Sequence, residues 1–341
     1  MRIVVAHAQV PFAHGGAEVL AERLTEELNA RDHQTALVTV PFKWYPRERV
    51  LESAFVWRML DLEEVEGRKV DLLIATKFPS YAVRHPRKRV WLVHQFRQAY
   101  DLDRTDLAEF GESAVDRATR RKIHELDRRT LGEAERRFAI SQNVADRLRD
   151  ALGLDAEVVL PPPQELDYRF EEYGDFVLSV GRLDRAKRVD LLLEAAAEDP
   201  SLRVVVAGDG PDRARLENVA RSHELNGQVE FRGRVDADEL ADLYARAGAV
   251  YYAPIDEDYG MVPYEAFLSE KPVVTTTDAG GPLDVVADRL TGLVTAPRAR
   301  DLAAALRHLR EHPEDRRAWG KAGKAKAEKV TWDAAIDRLL S

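Results

Sequence analysis

The stretch 251-YYAPIDEDYGMVPYEAFLSEKPVVTTT-277 decides how this chain is read. An apolar run, Ala249 to Ala253, leads into an acidic turn, a helical segment and a second, β-branched run from Pro272 to Thr276, so the pattern is strand, loop, helix, strand. Two carboxylates mark it: Glu257 in the loop and Glu265 eight positions on, about two helical turns away, with Gly260 at the bend. The loop follows the carboxyl end of a parallel strand, where open α/β sheets bind ligands. Alone, the pair is equally the mark of two solvated acids on an amphipathic helix, so the surrounding chain has to decide.

Composition sets the bounds. The 341 residues suffice for about two domains of ~100–200 residues each, and 45% hydrophobic with 33% charged is ordinary for a globular chain. No run nears ~18 apolar residues, and Met1-Arg2-Ile3 opens directly into a strand pattern with no signal-like segment. The expectation is a cytoplasmic chain with no transmembrane segment, peripheral membrane contact staying open. Because cysteine is absent, disulfides and thiolate metal sites are excluded. A net charge of −9 argues against nucleic-acid binding. The charge is uneven: residues 1–165 hold 26 basic and 27 acidic side chains and residues 166–341 hold 25 and 33, which makes the first half the better face for an anionic partner.

Arg2 to Val5 reads as a first strand, followed by a loop, Ala6 to Gly16, and a helix with Val19, Leu20, Leu24 and Leu28 on one face. Gly15-Gly16 lets backbone N–H groups approach a phosphate or sugar at the helix start, and equally serves a plain turn. Strand and helix patterns alternate through Thr35 to Val40, Glu48 to Leu60, Asp71 to Ala75 and Val90 to Val93. The last ends at His94, which a strand's carboxyl end would bring to a ligand crevice, although a histidine there also serves plain structure. Lys77, Arg84, Arg87, Lys88, Arg89 and Arg97 surround it in sequence and suit either a pocket for a negatively charged acceptor or solvated loops. A charged helix (Ser113 to Glu135), a strand (Arg137 to Ile140), a helix with Ser141 as its N-cap and a strand (Ala156 to Leu160) close the first half. Pro161-Pro162-Pro163 and the polar stretch to Asp175 continue neither sheet nor helix and mark a domain boundary and hinge.

The second half opens with a strand, Phe176 to Val180, that empties into Gly181 and presents Arg182 and Lys187 before a helix from Val189 to Ala197. Two cations at a strand's carboxyl end suit a diphosphate. Strand Leu202 to Ala207 runs into Gly208-Asp209-Gly210-Pro211, where Arg213 stands in place of the third glycine of a dinucleotide fingerprint. Strand Val229 to Arg232 precedes Gly233-Arg234-Val235 and a helix from Asp236. After the opening stretch come Asp278-Ala279-Gly280-Gly281, a strand from Gly292 to Thr295 and three helices from Asp301 to Ser341, the last capped by Thr331 with Trp332, Ile336 and Leu339 on one face.

The two glutamates inside DEDYGMVPYEA, the SVGRL run with Lys187 five residues after Arg182, the GGAE loop and the TW-x-x-A end together resemble the retaining GT-B glycosyltransferases, in particular family 4. The resemblance is stronger after Phe176 than before Pro161. It implies an α/β GT-B fold of two Rossmann-like domains facing across a cleft: an acceptor-side domain, residues 1–164, completed by a terminal helix at 326–341, and a nucleotide-sugar domain, residues 170–325. The implied reaction moves a hexose, with retention, from a UDP- or GDP-sugar to a hydroxyl acceptor such as a glycan, lipid-linked glycan or small metabolite, without a cofactor or metal. The resemblance assigns Glu265 to the donor ribose, Glu257 to the donor sugar, and the amides of Gly260, Met261 and Val262 to sugar and phosphate. It assigns Gly181, Arg182 and Lys187 to the diphosphate, Arg234 and Val235 to the base, Gly15 and Gly16 to the donor diphosphate and acceptor, and His94 to the transferred sugar. Tyr259 and Tyr264 depart from the usual Phe and Leu, and Pro161-Pro162-Pro163 from the usual Pro-Asn-Gly. Two other readings remain, a nucleotide-sugar epimerase and a non-catalytic sugar-nucleotide-binding subunit. Asp256-Glu257-Asp258 also spells the Asp-x-Asp of metal-dependent transferases of another fold.

Overall fold

A computed structural model describes residues 1–12, 15–103, 105 and 108–341. The chain divides into two compact units, the first made of Met1–Pro161 with Trp332–Ser341 and the second of Pro162–Thr331. Among the described residues each unit holds a six-stranded sheet whose named strands pair in parallel. In the first unit the strands are β1 (Arg2–Gln9), β2 (Gln34–Pro41), β3 (Leu72–Ala75), β4 (Lys88–Leu92), β5 (Arg136–Ala139) and β6 (Glu157–Val158), ordered β2-β1-β3-β4-β5-β6. In the second they are β7 (Phe176–Val180), β8 (Arg203–Ala207), β9 (Val229–Gly233), β10 (Ala249–Tyr251), β11 (Val273–Thr276) and β12 (Gly292–Thr295), ordered β9-β8-β7-β10-β11-β12. Both are Rossmann-like α/β orders, and the direction of winding reverses between β1 and β3 and between β7 and β10.

Strand β1 runs four residues beyond the expected Val5, to Gln9, in register with β2 through His7↔Thr39 and Ala8↔Val40. The polar His7 reads as loop in sequence, but it is buried with Nδ1 2.8 Å from Thr76 Oγ1, so its burial satisfies a hydrogen bond. Of the expected loop Ala6 to Gly16, residues 13 and 14 lie outside the described residues. The expected helix from Glu48 to Leu60 is a short 3-10 turn, Arg47–Arg49, followed by α2 (Val50–Met59). The expected strand Ala156 to Leu160 shrinks to Glu157–Val158.

Helices α5 (Val189–Glu198) and α9 (Ala299–Glu311) bury Leu192, Leu193, Leu302 and Leu306 in the second unit's core, with Val204, Val206 and Trp319. Helix α10 (Pro313–Ala327) packs closely because Gly320 and Gly323 have no side chain: a Cβ at 320 would lie 2.0 Å from the Glu270 carbonyl oxygen, and one at 323 2.2 Å from the Phe267 ring. The portion that returns to the first unit therefore starts at Trp332, not 326. In α11 (Trp332–Leu340), Trp332, Ile336 and Leu339 are buried, and the Trp332 ring meets Trp91 edge-on with centroids 6.2 Å apart. No described helix is long and apolar enough to cross a membrane.

Deleting the Trp332 ring removes a large buried contact with Trp91. Trp332→Ala should cost the first unit about 3–5 kcal/mol of stability, read as an earlier urea transition of that unit; a loss under ~1 kcal/mol would contradict the packing described.

Candidate active site

In the second unit the site is built at the β7/β10 junction. Strand β7 ends in Gly181, whose N–H donates to the Ala207 carbonyl at 3.1 Å. A turn, Arg185–Lys187, follows, with the Asp184 side chain accepting from the Lys187 N–H at 3.2 Å. The Lys187 ammonium is ion-paired with Glu257 and lies 3.3 Å from the Tyr252 hydroxyl. Burial alone would lower the Lys187 pKa, but Tyr252 and Glu257 outweigh it and raise it. Arg182 is exposed, and no hydrogen bond or ion pair holds its guanidinium among the described residues. Gly181, Arg182, Lys187, Tyr251 and Tyr252 line one small crevice.

The acidic loop is fixed by its own backbone. The N–H groups of Asp256 and Glu257 donate to the carbonyls of Asp278 and Ala279 at 2.9 and 2.8 Å, and the Gly281 N–H returns to the Glu257 carbonyl at 2.8 Å. Gly281 is required there, since a Cβ would lie 2.7 Å from the Asp258 carbonyl oxygen. Arg188 braces the arrangement. Its guanidinium donates to the carbonyls of Ala253 and Pro254, both at 2.9 Å, to Thr276 Oγ1 at 2.7 Å and to both oxygens of Asp278 at 2.8 Å. Sequence reasoning passed over Arg188, which looks like one more loop cation beside Lys187.

Glu265 sits in helix α8 (Val262–Leu268), buried, with the Tyr244 hydroxyl donating to Oε2 at 2.7 Å and no ion pair among the described residues. Burial pushes its carboxyl above the ordinary range, and Tyr244 draws it part of the way back. The Tyr168 hydroxyl, also buried, has no hydrogen-bond partner among the described residues; its pKa is raised by burial and by the Glu265 charge. Gly260, at φ +81°, turns the chain from Glu257 towards Met261 and Val262, where a Cβ would meet the Tyr252 ring at 2.7 Å. Tyr259 and Tyr264 stack with centroids 4.9 Å apart. Gly208 and Gly210 serve the backbone: Cβ atoms there would lie 1.9 Å from the Gly181 carbonyl oxygen and 2.2 Å from that of Leu183. Arg234 is exposed and Val235 half-buried just past β9.

In the first unit, Gly15 caps helix α1 (Gly16–Ala30), and its N–H donates to Glu18 Oε2 at 3.0 Å, so of the two glycines expected to offer amides, Gly15 already has a partner. Glu18 Oε1 accepts from the Lys77 ammonium at 2.6 Å and lies 3.5 Å from His7 Nε2. Burial alone would raise the Glu18 carboxyl, but His7 and Lys77 hold it at about 2, while burial lowers His7. His94 is half-buried beyond β4, with Nδ1 2.7 Å from the Gln95 carbonyl.

Of the six cations near His94 for which two readings were open, five show partners among the described residues, and Arg84 is exposed. Lys77 is paired with Glu18, Arg97 with Asp101, and Arg87 lies 3.8 Å from Glu135. Lys88, fully buried at the start of β4 and so at the opposite end from His94, donates to the carbonyls of Tyr81, Val83 and Thr130 at 2.9, 3.1 and 2.8 Å. Arg89 donates to the Leu339 carbonyl. Buried charges need partners of their own, and the buried Lys77, Lys88 and Arg89 find theirs within the fold. Among the described residues no three His, Asp or Glu side chains form a candidate metal cluster.

Residues 167–326 match the family model described as glycosyl transferases group 1. The chain is 31% identical over 227 residues to a GDP-mannose-dependent alpha-mannosyltransferase of Mycobacterium tuberculosis (strain CDC 1551 / Oshkosh), covering 64% of this chain and 57% of that protein. A protein of the same description from Mycolicibacterium smegmatis is 31% identical and is covered over 64% of its length, so the chain spans about three-fifths of these relatives. It is 29% identical to a D-inositol 3-phosphate glycosyltransferase of Rhodococcus opacus, over 100% of this chain and 84% of that one. Among solved structures it matches sucrose-phosphate synthase of Thermosynechococcus elongatus with a TM-score of 0.80 at 20% identity, over 99% and 97% of the two chains. The two units thus have the GT-B glycosyltransferase fold.

The Glu265 environment makes a sign-specific prediction. A carboxyl whose folded pKa is raised opposes folding once pH exceeds the unfolded value of about 4.3. Glu265→Gln, which keeps an acceptor for Tyr244, should therefore raise Tm by a few °C at pH 8, the gain disappearing by pH 4. An equal gain at both pH values would remove ionisation as its cause.

Proposed function

We propose, from the match of residues 167–326 to the model described as glycosyl transferases group 1, that the chain transfers a hexose, with retained anomeric configuration, from a UDP- or GDP-sugar to a hydroxyl acceptor. The observation that carries this reading is the gathering at one topological reversal of an ammonium, Lys187, and a carboxylate, Glu257, beside a free guanidinium, Arg182. Lys187 and Arg182 are suited to the diphosphate, whose charge grows as the glycosidic bond breaks, so their contribution is larger in the transition state than in the bound donor. They supply the role a divalent ion plays elsewhere, and the reaction proposed is metal-independent.

Glu257 takes the donor sugar's hydroxyls, and Glu265 the vicinal hydroxyls of the ribose, a role suited to a buried carboxyl without a cation of its own. The backbone at Gly260, Met261 and Val262 offers amides to sugar and phosphate, Gly181 allows the diphosphate a close approach, and Arg234 and Val235 flank the base. In the first unit the same reading assigns His94 to the transferred sugar and Gly15-Gly16 to the acceptor side. No protein nucleophile is invoked. The acceptor oxygen attacks the anomeric carbon on the face from which the diphosphate leaves, and a departing phosphate oxygen takes its proton.

Calorimetric titration with UDP, GDP and ADP, followed by incubation of the matching nucleotide sugars with hydroxyl acceptors, tests the reading. Binding without turnover would make the chain a sugar-nucleotide-binding subunit, and conversion of the sugar while still nucleotide-linked would make it an epimerase. Losing a charge-assisted clamp of about 1.5–3 kcal/mol, Glu265→Ala should weaken nucleotide binding roughly 10- to 150-fold. Lys187→Ala or Arg182→Ala should lower turnover by roughly 100- to 1,000-fold, with donor affinity falling less and activity surviving EDTA. Loss of activity in EDTA with rescue by Mg²⁺, together with near-normal rates in both variants, would overturn the assignment.

A further inference from the structure

We infer that Tyr168 is a positioning residue for Glu265: with a nucleotide held, its hydroxyl donates the hydrogen bond that completes the ribose carboxylate. The opening segment of the second unit thereby takes part in nucleotide binding. The inference rests on the assignment of Glu265 to the ribose made above and adds a residue that the ligand itself does not touch.

That segment is fastened along the end of helix α7 (Ala237–Arg246). Arg169 is ion-paired with Asp242, the N–H groups of Glu171 and Glu172 donate to the Ala245 carbonyl at 3.1 and 3.3 Å, and the Gly174 N–H donates to that of Arg246 at 2.9 Å. Lys271 holds its other side. This fully buried side chain donates to the Glu172 carbonyl, with Nζ 4.3 Å from the Phe170 ring centroid and 4.8 Å from that of Tyr173. Within the fastened span the Tyr168 ring meets Tyr244 edge-on, centroids 6.1 Å apart. Tyr244 is the residue whose hydroxyl donates to Glu265 at 2.7 Å.

A donor and an acceptor beside each other are left incomplete. Buried hydroxyls are nearly always hydrogen-bonded in native proteins, yet the Tyr168 hydroxyl is buried with no such partner among the described residues. An ionised carboxylate offers about four acceptor positions. Tyr244 takes one and two vicinal ribose hydroxyls take two, so the Tyr168 hydroxyl matches the one that is left.

The charge on Glu265 ties these bonds together. The titratable groups that face it are tyrosines: Tyr244 from α7, Tyr168, Tyr252 just after β10 and Tyr259 from the acidic loop, all with pKa values that its charge helps to raise. No cation acts on its carboxyl, and Lys324 on α10, which packs against α8, is turned to Glu270 at 3.1 Å. Hydrogen bonds to the charged form are therefore what favour ionisation against burial. Ribose brings two of them and Tyr168 a third.

The test is calorimetry of the whole chain with UDP and with GDP, from about pH 5 to about pH 8, on wild type, Tyr168→Phe, Glu265→Gln and the double variant. At the upper pH Tyr168→Phe, which keeps the ring and removes only the hydroxyl, should weaken nucleotide binding roughly tenfold, as expected for losing one hydrogen bond to a charged group. With one donor fewer the carboxylate takes up a proton more readily, so on acidification affinity should fall at a pH roughly one unit higher than in wild type. The ligand's phosphates titrate alike in both proteins and cancel in this comparison. In the Glu265→Gln background the shift should vanish and the loss shrink to about twofold or less. Unchanged or tighter binding by Tyr168→Phe, a weakening with an unshifted pH profile, or a loss that persists in full beside Glu265→Gln each overturns the inference and leaves Glu265 at the ribose. Failure of wild type to bind either nucleotide removes the donor-site reading and the inference with it.

Discussion

A parallel sheet wound in both directions from one strand must open a gap at that strand's carboxyl end, because the two connections leave towards opposite sides. Each unit obeys this, at β1/β3 and at β7/β10. In each the gap is closed by the same chemistry, an ammonium against a carboxylate: Lys77 with Glu18, and Lys187 with Glu257. Removing one partner of a buried ion pair costs about 3–5 kcal/mol. A ligand entering either gap has to take over one partner's role, so these gaps favour polar, charged or polyhydroxylated molecules over apolar ones.

What keeps the second gap in shape lies behind it. Arg188 follows Lys187 directly and takes φ +49°, a left-handed conformation uncommon outside glycine. That turn sends Lys187 and Arg188 different ways, one to Glu257 and the other to the carbonyls of Ala253 and Pro254, Thr276 and Asp278. A guanidinium presents its donors in a rigid fork, which fits acceptors on two adjacent chain segments. Lysine could satisfy only some of them. Glycines at 208, 210 and 281 do the complementary work, since their missing side chains let loops approach within distances that a Cβ would forbid.

Most of the strands and helices were legible because hydrophobic periodicity and capping residues agree: Ser141 does cap α4 (Gln142–Leu152), accepting from the Val144 N–H at 3.0 Å. The reversal points were legible too, through glycine and charge at strand ends. The partners of charged residues were not. Lys88 and Arg89 look like solvated loop cations until the fold buries them against carbonyls far away in sequence, from Thr130 and Leu339. His7 hides in the same way, its partner Thr76 lying 69 positions on. Glu18 was the exception that local spacing should have revealed, three residues after the helix-capping Gly15, where a glutamate reaches back to the cap N–H.

The two glutamates that first draw attention end in different surroundings for reasons their spacing does not disclose. Glu257 lies on a partly exposed loop, ion-paired with the Lys187 ammonium. Glu265 is buried among tyrosines, its carboxyl supported by a neutral hydroxyl, and burial raises its pKa. One is half of an ion pair. The other is an acceptor waiting for donors, and the buried Tyr168 hydroxyl, without a hydrogen bond among the described residues, shows that the polar groups around it are not closed among themselves. In the proposed reaction Glu265 can gain ribose hydroxyls without surrendering an ion pair.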